Sequence, residues 1–140
     1  GVARWADSVR VVAERAHLAG DTVALAQAFR LAGRALTVYP DDALLLHYQG
    51  YIRYRQAQRL ADFDRALPLF EEAVSLLERS AAVRPLPETY ALIASATGSM
   101  IGDSMIRGIR FGMRASAAES RAEELGPNNP RVLLLRAVSA

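Results

Sequence analysis

One spacing of residues occurs three times in this chain of 140 residues: a small residue, a second position four later, a third position three further on, and a proline five after that. The copies are Ala28, Ala32, Ala35 and Pro40; Ala73, Leu77, Ser80 and Pro85; and Ala115, Glu119, Ala122 and Pro127. Steps of four and three lie on one helical face, and proline is common just after a helix end. The copies begin at 28, 73 and 115, so the periods are 45 and 42 residues. Such a repeat predicts similar helical units stacked in series.

The rest of the chain also has helical periodicity. Apolar residues recur three and four positions apart almost throughout, and no segment alternates convincingly as a strand would. Asp21 or Thr22 is a suitable cap for the second helix. The predicted helices cover about 2–18, 22–38, 41 or 42 to 60, 64–83, 87–100, 113–125 and a last one from 130. We predict one all-α domain over 1–140, with helix pairs at about 2–40, 41–85 and 86–127. Residues 130–140 are predicted to be the start of a further, truncated repeat.

The residues before each proline resemble the second helix of the tetratricopeptide repeat family, and the turn from Gly126 to Pro130 is similar to that family's junction between repeats. Gly50 and Ala94 take the place of the small residue at which the two helices of a repeat cross closely. The resemblance implies antiparallel helix pairs stacked as a short right-handed α-solenoid of six or seven helices. The repeats depart from the family in length, because the family period is about 34 residues.

The resemblance also implies a non-enzymatic scaffold that binds a peptide or protein partner on a concave face. Carried onto the first helix of the second pair, the family's lining positions are His47, Tyr51, Tyr54 and Arg55. Helical spacing independently places His47, Tyr51, Tyr54 and Gln58 on one face, with Arg55 beside them. Tyrosine is favoured at binding surfaces, and arginine binds carboxylates in a forked geometry. The alternative is that the tyrosines pack between helices and that Arg55 is solvated.

A second candidate site is the stretch from Gly98 to Arg114, which contains four glycines, three methionines and three arginines. Arg107, Arg110 and Arg114 recur at spacings of three and four. One hypothesis is that this stretch binds a small anionic ligand or docks a partner. The other, which we expect, is that it folds back so that its Met and Ile side chains cover the helix pair while the arginines point outward.

The composition excludes several kinds of chemistry. The chain has no cysteine, which removes disulfides, thiol nucleophiles and cysteine zinc sites, and it has no lysine for a Schiff base or a phosphate-binding loop. Its two histidines lie thirty residues apart and form no recognisable metal-binding pattern. We therefore predict no catalytic residue, no metal and no cofactor, and we expect that the chain is not an enzyme.

The charge pattern limits the partners. The net charge is only +2, and no segment forms a polycationic tail, so no nucleic-acid partner is predicted. No apolar run approaches the roughly 18 residues that a membrane span needs. We expect a soluble protein, either cytoplasmic or, if an upstream signal peptide has been removed, periplasmic or secreted. Self-assembly into a homo-oligomer is the alternative to binding a different protein.

Overall fold

The computed structural model describes residues 2–19 and 22–139. Over these residues the fold is all-α, as predicted, with seven helices and no strand. The helices are α1 (Val2–Ala19), α2 (Thr22–Val38), α3 (Ala43–Gln58), α4 (Phe63–Val83), α5 (Pro87–Ser99), α6 (Met105–Leu125) and α7 (Pro130–Ser139). Asp21, one of the two predicted caps of α2, lies outside the described residues.

Local chemistry explains where several helices begin. The Asp42 carboxylate accepts a hydrogen bond of 2.9 Å from the Leu45 N–H at the start of α3. The Ser104 hydroxyl accepts one of 3.2 Å from the Arg107 N–H at the start of α6. Pro87 begins α5, where its missing N–H costs nothing because the first helical N–H groups have no partner within the helix. These local interactions specify where the helices begin, and they do not depend on packing between helices.

The helices contact one another in chain order. Each packs against the next, and in addition α1 contacts α3, α3 contacts α5, and α5 contacts α7. Within the described parts of the chain, the backbones of α2, α4 and α6 do not pack against one another, although the side chains of Arg114 in α6 and Glu78 in α4 form an ion pair. The odd-numbered helices therefore form a continuous row, and the even-numbered helices lie against that row.

The repeated small residues lie where the helices pack most closely. All three positions before the proline are buried in the first two copies, whereas in the third copy only Ala122 is. At Gly50, an added Cβ would lie 2.7 Å from Leu77 Cγ and 3.2 Å from the Ala73 carbonyl oxygen. Only glycine permits this approach of α3 to α4, so the prediction that Gly50 marks a close helix crossing is confirmed.

The stretch between α5 and α6 differs from the prediction. α6 begins at Met105 instead of 113, because the Ser104 cap starts the helix early. Its large apolar side chains point outward and do not cover the helix pair: 67–81% of the surface is exposed in Met105, Ile106, Ile109 and Met113. The predicted fold-back is therefore wrong for these four side chains, whereas Met100 and Ile101, which precede α6, do pack against the core. A helix that buries Phe111 against its neighbours turns the opposite face, with the Met and Ile side chains, toward solvent.

Candidate functional site

A cleft of about 300 Å³ opens on the row of odd-numbered helices. Three helices supply its walls: Tyr54 and Arg55 from α3, Glu88 and Ser95 from α5, and Arg131 and Leu134 from α7. The cleft thus brings together residues that lie up to about eighty positions apart in the sequence. Its lining includes two cations, one carboxylate and apolar side chains. Leu134 is 66% exposed and so offers apolar surface at the cleft.

Hydrogen bonds and ring contacts hold Arg55 at the cleft. Its Nη1 donates a bond of 2.7 Å to Gln58 Oε1, and Gln58 Nε2 donates one of 2.9 Å to the Tyr54 hydroxyl. The guanidinium carbon lies 5.2 Å from the ring centroid of Tyr51 and 5.4 Å from that of Tyr54. Cation–π attraction at such distances favours a fixed orientation of the guanidinium group. Among the described residues, the enclosed Nε of Arg55 has no hydrogen-bond partner.

The structure places the five predicted groove residues at different depths. Tyr54 and Arg55 line the cleft, and Gln58 is bonded to both from an exposed position. Tyr51 and Tyr54 are each only 7% exposed and belong to the hydrophobic core. The two tyrosines therefore offer little surface to a partner.

His47 lies beneath the surface. Its Nδ1 is 2.8 Å from the Thr89 hydroxyl of α5, a hydrogen bond between buried side chains. The pKa of His47 is lowered to about 4: burial is the main cause, the positive charge of Arg131 acts in the same direction, and the carboxylate of Glu88 opposes both. His47 is therefore neutral near pH 7 and joins α3 to α5 without lining the cleft.

The sequence did not identify Glu88, Arg131 and Leu134 as site residues. Glu88 is held by a hydrogen bond of 2.6 Å from Asn129 Nδ2, which lies in the turn before α7. Arg131 and Leu134 follow Pro130, which the sequence correctly placed at the start of the last helix. The last helix lies beside α5, and no local pattern in the sequence specifies that position.

The structure brings together only two of the three arginines of the second candidate site: Arg110 and Arg114 line one depression, and Arg107 does not. Arg107 Nε donates a bond of 3.2 Å to the Ile101 carbonyl and so holds the turn before α6. Arg114 forms an ion pair of 3.2 Å with Glu78 of α4. Arg110 has no carboxylate partner among the described residues. These separate roles give no support to a single anion site formed by all three.

Comparisons with other proteins identify no relative. No family model matches the chain, and neither the curated proteins nor the solved structures contain a match. In the described ranges, no helix is both long enough and apolar enough to cross a membrane. Nor do the described residues contain a group of three or more His, Asp or Glu side chains able to hold a metal ion. The fold and the cleft therefore define a helical protein with a depression of about 300 Å³ between three of its helices.

Proposed function

We propose that the chain is a non-enzymatic interaction module that binds a short segment of a protein partner in the cleft between α3, α5 and α7. The observation that carries the proposal is the composition of the cleft, in which Arg55 and Arg131 line the same depression as the exposed Leu134. The tetratricopeptide-like repeat of the sequence supports the same function, because helix pairs stacked in series create extended surfaces for partners.

The size of the cleft favours a peptide segment. A volume of about 300 Å³ is at the lower end of the range for ligand pockets, so it accommodates a few side chains. Guanidinium groups bind carboxylates through charge-assisted hydrogen bonds, and Leu134 offers apolar surface. Glu88 Oε1 is already bonded to Asn129, which leaves its second oxygen to accept an N–H of the bound segment. We therefore expect a segment in which an acidic residue lies close to an apolar one.

A peptide-display library presented to the immobilised protein tests this proposal without a known partner. We expect the selected peptides to combine acidic and apolar residues. Their affinities are then measured by fluorescence polarisation for the wild type, Arg55→Ala and Ser95→Trp, the last of which fills the cleft with an indole ring. Arg30→Ala is the matched control, because Arg30 is an exposed arginine on α2, outside the cleft.

Loss of a charge-assisted hydrogen bond costs about 1.5–3 kcal/mol, so Arg55→Ala should weaken binding by about tenfold or more. Ser95→Trp should abolish binding, and Arg30→Ala should leave the affinity unchanged. Selected peptides that bind Ser95→Trp as tightly as the wild type would show that the cleft is not the site. A library that yields no peptide above background would contradict the proposal as a whole.

A further inference from the structure

The outward face of α6 differs from those of the other even-numbered helices. In the middle of α2 and α4 the exposed positions are polar or charged, as in Gln27, Arg30 and Arg34, and in Glu71, Ser75 and Glu78. The first nine residues of α6 instead expose four large apolar side chains, here called the Met–Ile ridge: Met105, Ile106, Ile109 and Met113. Because the three helices have similar places in the fold, this contrast is specific to α6 and needs its own explanation.

The ridge projects directly away from the protein. At 3.6 residues per turn its four side chains fall within an arc of about 100°, centred roughly opposite Phe111, which is buried. Gly108 and Gly112 lie along one edge of the ridge, and a Cβ added at Gly112 would meet nothing within 4 Å. At Gly108 an added Cβ would lie 3.6 Å from Ile101 Cγ2, so Ile101 borders the ridge only at its first turns, and the ridge is convex beyond them.

Positive charge lies along the other edge. From Ser104 to Ala118 the chain contains three arginines and no acidic residue. Arg110 has no carboxylate partner among the described residues, and Arg114 forms only a half-exposed ion pair with Glu78. Exposed pairs of this kind are weak in water and exchange readily for another anion. The ridge thus combines protruding apolar groups with adjacent cations.

We propose that the Met–Ile ridge docks on an anionic lipid surface. The four apolar side chains enter the boundary between headgroups and acyl chains, and the guanidinium groups of Arg110 and Arg114 contact lipid phosphates. Helices that lie in the membrane interface have this arrangement, with an apolar face in the bilayer and arginine or lysine beside it. The long arginine stems allow the charges to remain at headgroup level. The helix lies on the membrane and does not cross it.

Two other occupants fit the observations less well. A second copy of the chain would bring the cationic edges of two ridges close together, and the ion pairs of Arg114 with Glu78 and of Arg107 with Asp103 leave Arg110 of each copy to repel the other. An acidic helix of a protein partner is usually held in a groove, whereas the ridge is convex and bordered by glycines. A fluid lipid surface adapts to a protruding ridge, so charge and shape together favour lipid.

Vesicle co-sedimentation of the full chain tests the proposal. The vesicles are phosphatidylcholine alone, or phosphatidylcholine with about 30 mol% phosphatidylglycerol as the anionic lipid. The ridge variant is Ile109→Ser with Met113→Ser, and the charge variant is Arg110→Gln. The matched control is Val23→Ser with Val38→Ser, which removes two comparably exposed apolar side chains from α2. Circular dichroism checks that each variant is folded.

We expect the wild type to bind the anionic vesicles and not the neutral ones, and about 0.5 M salt to release it. The ridge variant should bind about tenfold more weakly, Arg110→Gln severalfold more weakly, and the control like the wild type. Because the chain has no cysteine, Met113→Cys also accepts a single environment-sensitive fluorophore, whose emission should shift to the blue on anionic vesicles.

The proposal is wrong if the wild type fails to bind anionic vesicles or if the control loses as much binding as the ridge variant. Light scattering distinguishes the other occupants. If the wild type dimerises with increasing concentration, the ridge variant does not, and neither binds vesicles, then a second copy covers the ridge and the lipid proposal fails.

Discussion

Lowering the pH should destabilise the fold by forcing a charge onto His47. The side chain is 6% exposed and bonded to Thr89, and burial is the main cause that lowers its pKa to about 4. The nearby positive charge of Arg131 acts in the same direction. Protonation therefore places a cation in a buried site beside another cation, with partial compensation from Glu88.

The magnitude follows from the two pKa values. In the unfolded chain the histidine titrates near 6.5, and in the folded chain near 4. One pKa unit corresponds to about 1.4 kcal/mol, so the full effect is about 3 kcal/mol. The folded state binds fewer protons than the unfolded state, so stability is highest above pH 6.5 and decreases as the pH falls toward 4. At about pH 5 the loss due to His47 is already about 2 kcal/mol.

Urea unfolding of the wild type and of His47→Gln, each at about pH 7.5 and pH 5, measures this contribution. Glutamine has no charge to gain but retains an amide that can bond to Thr89. Other titrating groups act alike in both proteins, so the wild type should lose about 2 kcal/mol more than the variant between the two pH values. An equal loss in the two proteins would refute the claim that His47 is buried in a neutral form.

Further substitutions test the packing. Gly50→Ala should destabilise the fold by about 1–2 kcal/mol, because the new methyl group overlaps a buried leucine, whereas Gly112→Ala should stabilise it by about 0.5–1 kcal/mol, because the site is open. Stabilisation of the fold by Gly50→Ala in thermal unfolding would contradict the close approach at Gly50. Ser80→Ala removes a buried bond of 2.7 Å to the Ala43 carbonyl and should cost about 1 kcal/mol in urea unfolding. Asp42→Ala removes the cap of α3 and should cost about 1 kcal/mol by the same measurement; no change would mean that water replaces the cap.

The helices were predictable where local signals agreed with packing. The spacing around Ala73 and the glycine at position 50 identified both sides of one helix crossing, because only small residues permit such an approach. The first two turns of α6 were missed because Gly108 and Gly112 lower helix propensity. Packing of Phe111 and the Ser104 cap outweigh that cost. In this segment local propensity disfavours a helix and tertiary packing favours one, and the segment is helical.

The cleft was predictable only in part. Tyr54 and Arg55 lie on one helix, so spacing alone placed them on a common face. Arg131 completes the site from a helix more than seventy positions later, and the contact between α5 and α7 that brings it there leaves no periodic trace in the sequence. The burial of His47 likewise depends on Thr89, which lies 42 residues away and supplies the hydrogen bond that makes burial acceptable.

The small residues of α5 explain why a cleft exists in an otherwise packed row of helices. On the side toward α3 and α7, this helix presents Ala91 and Ser95, which are too short to fill the space between its neighbours. On the side toward α6, against which it packs, α5 presents larger groups, including Tyr90 and Ile93, and these line a separate depression between α4, α5 and α6. The Met–Ile ridge lies on the opposite face of α6. A peptide in the cleft and a lipid surface on the ridge would therefore use separate faces of the molecule and would not compete.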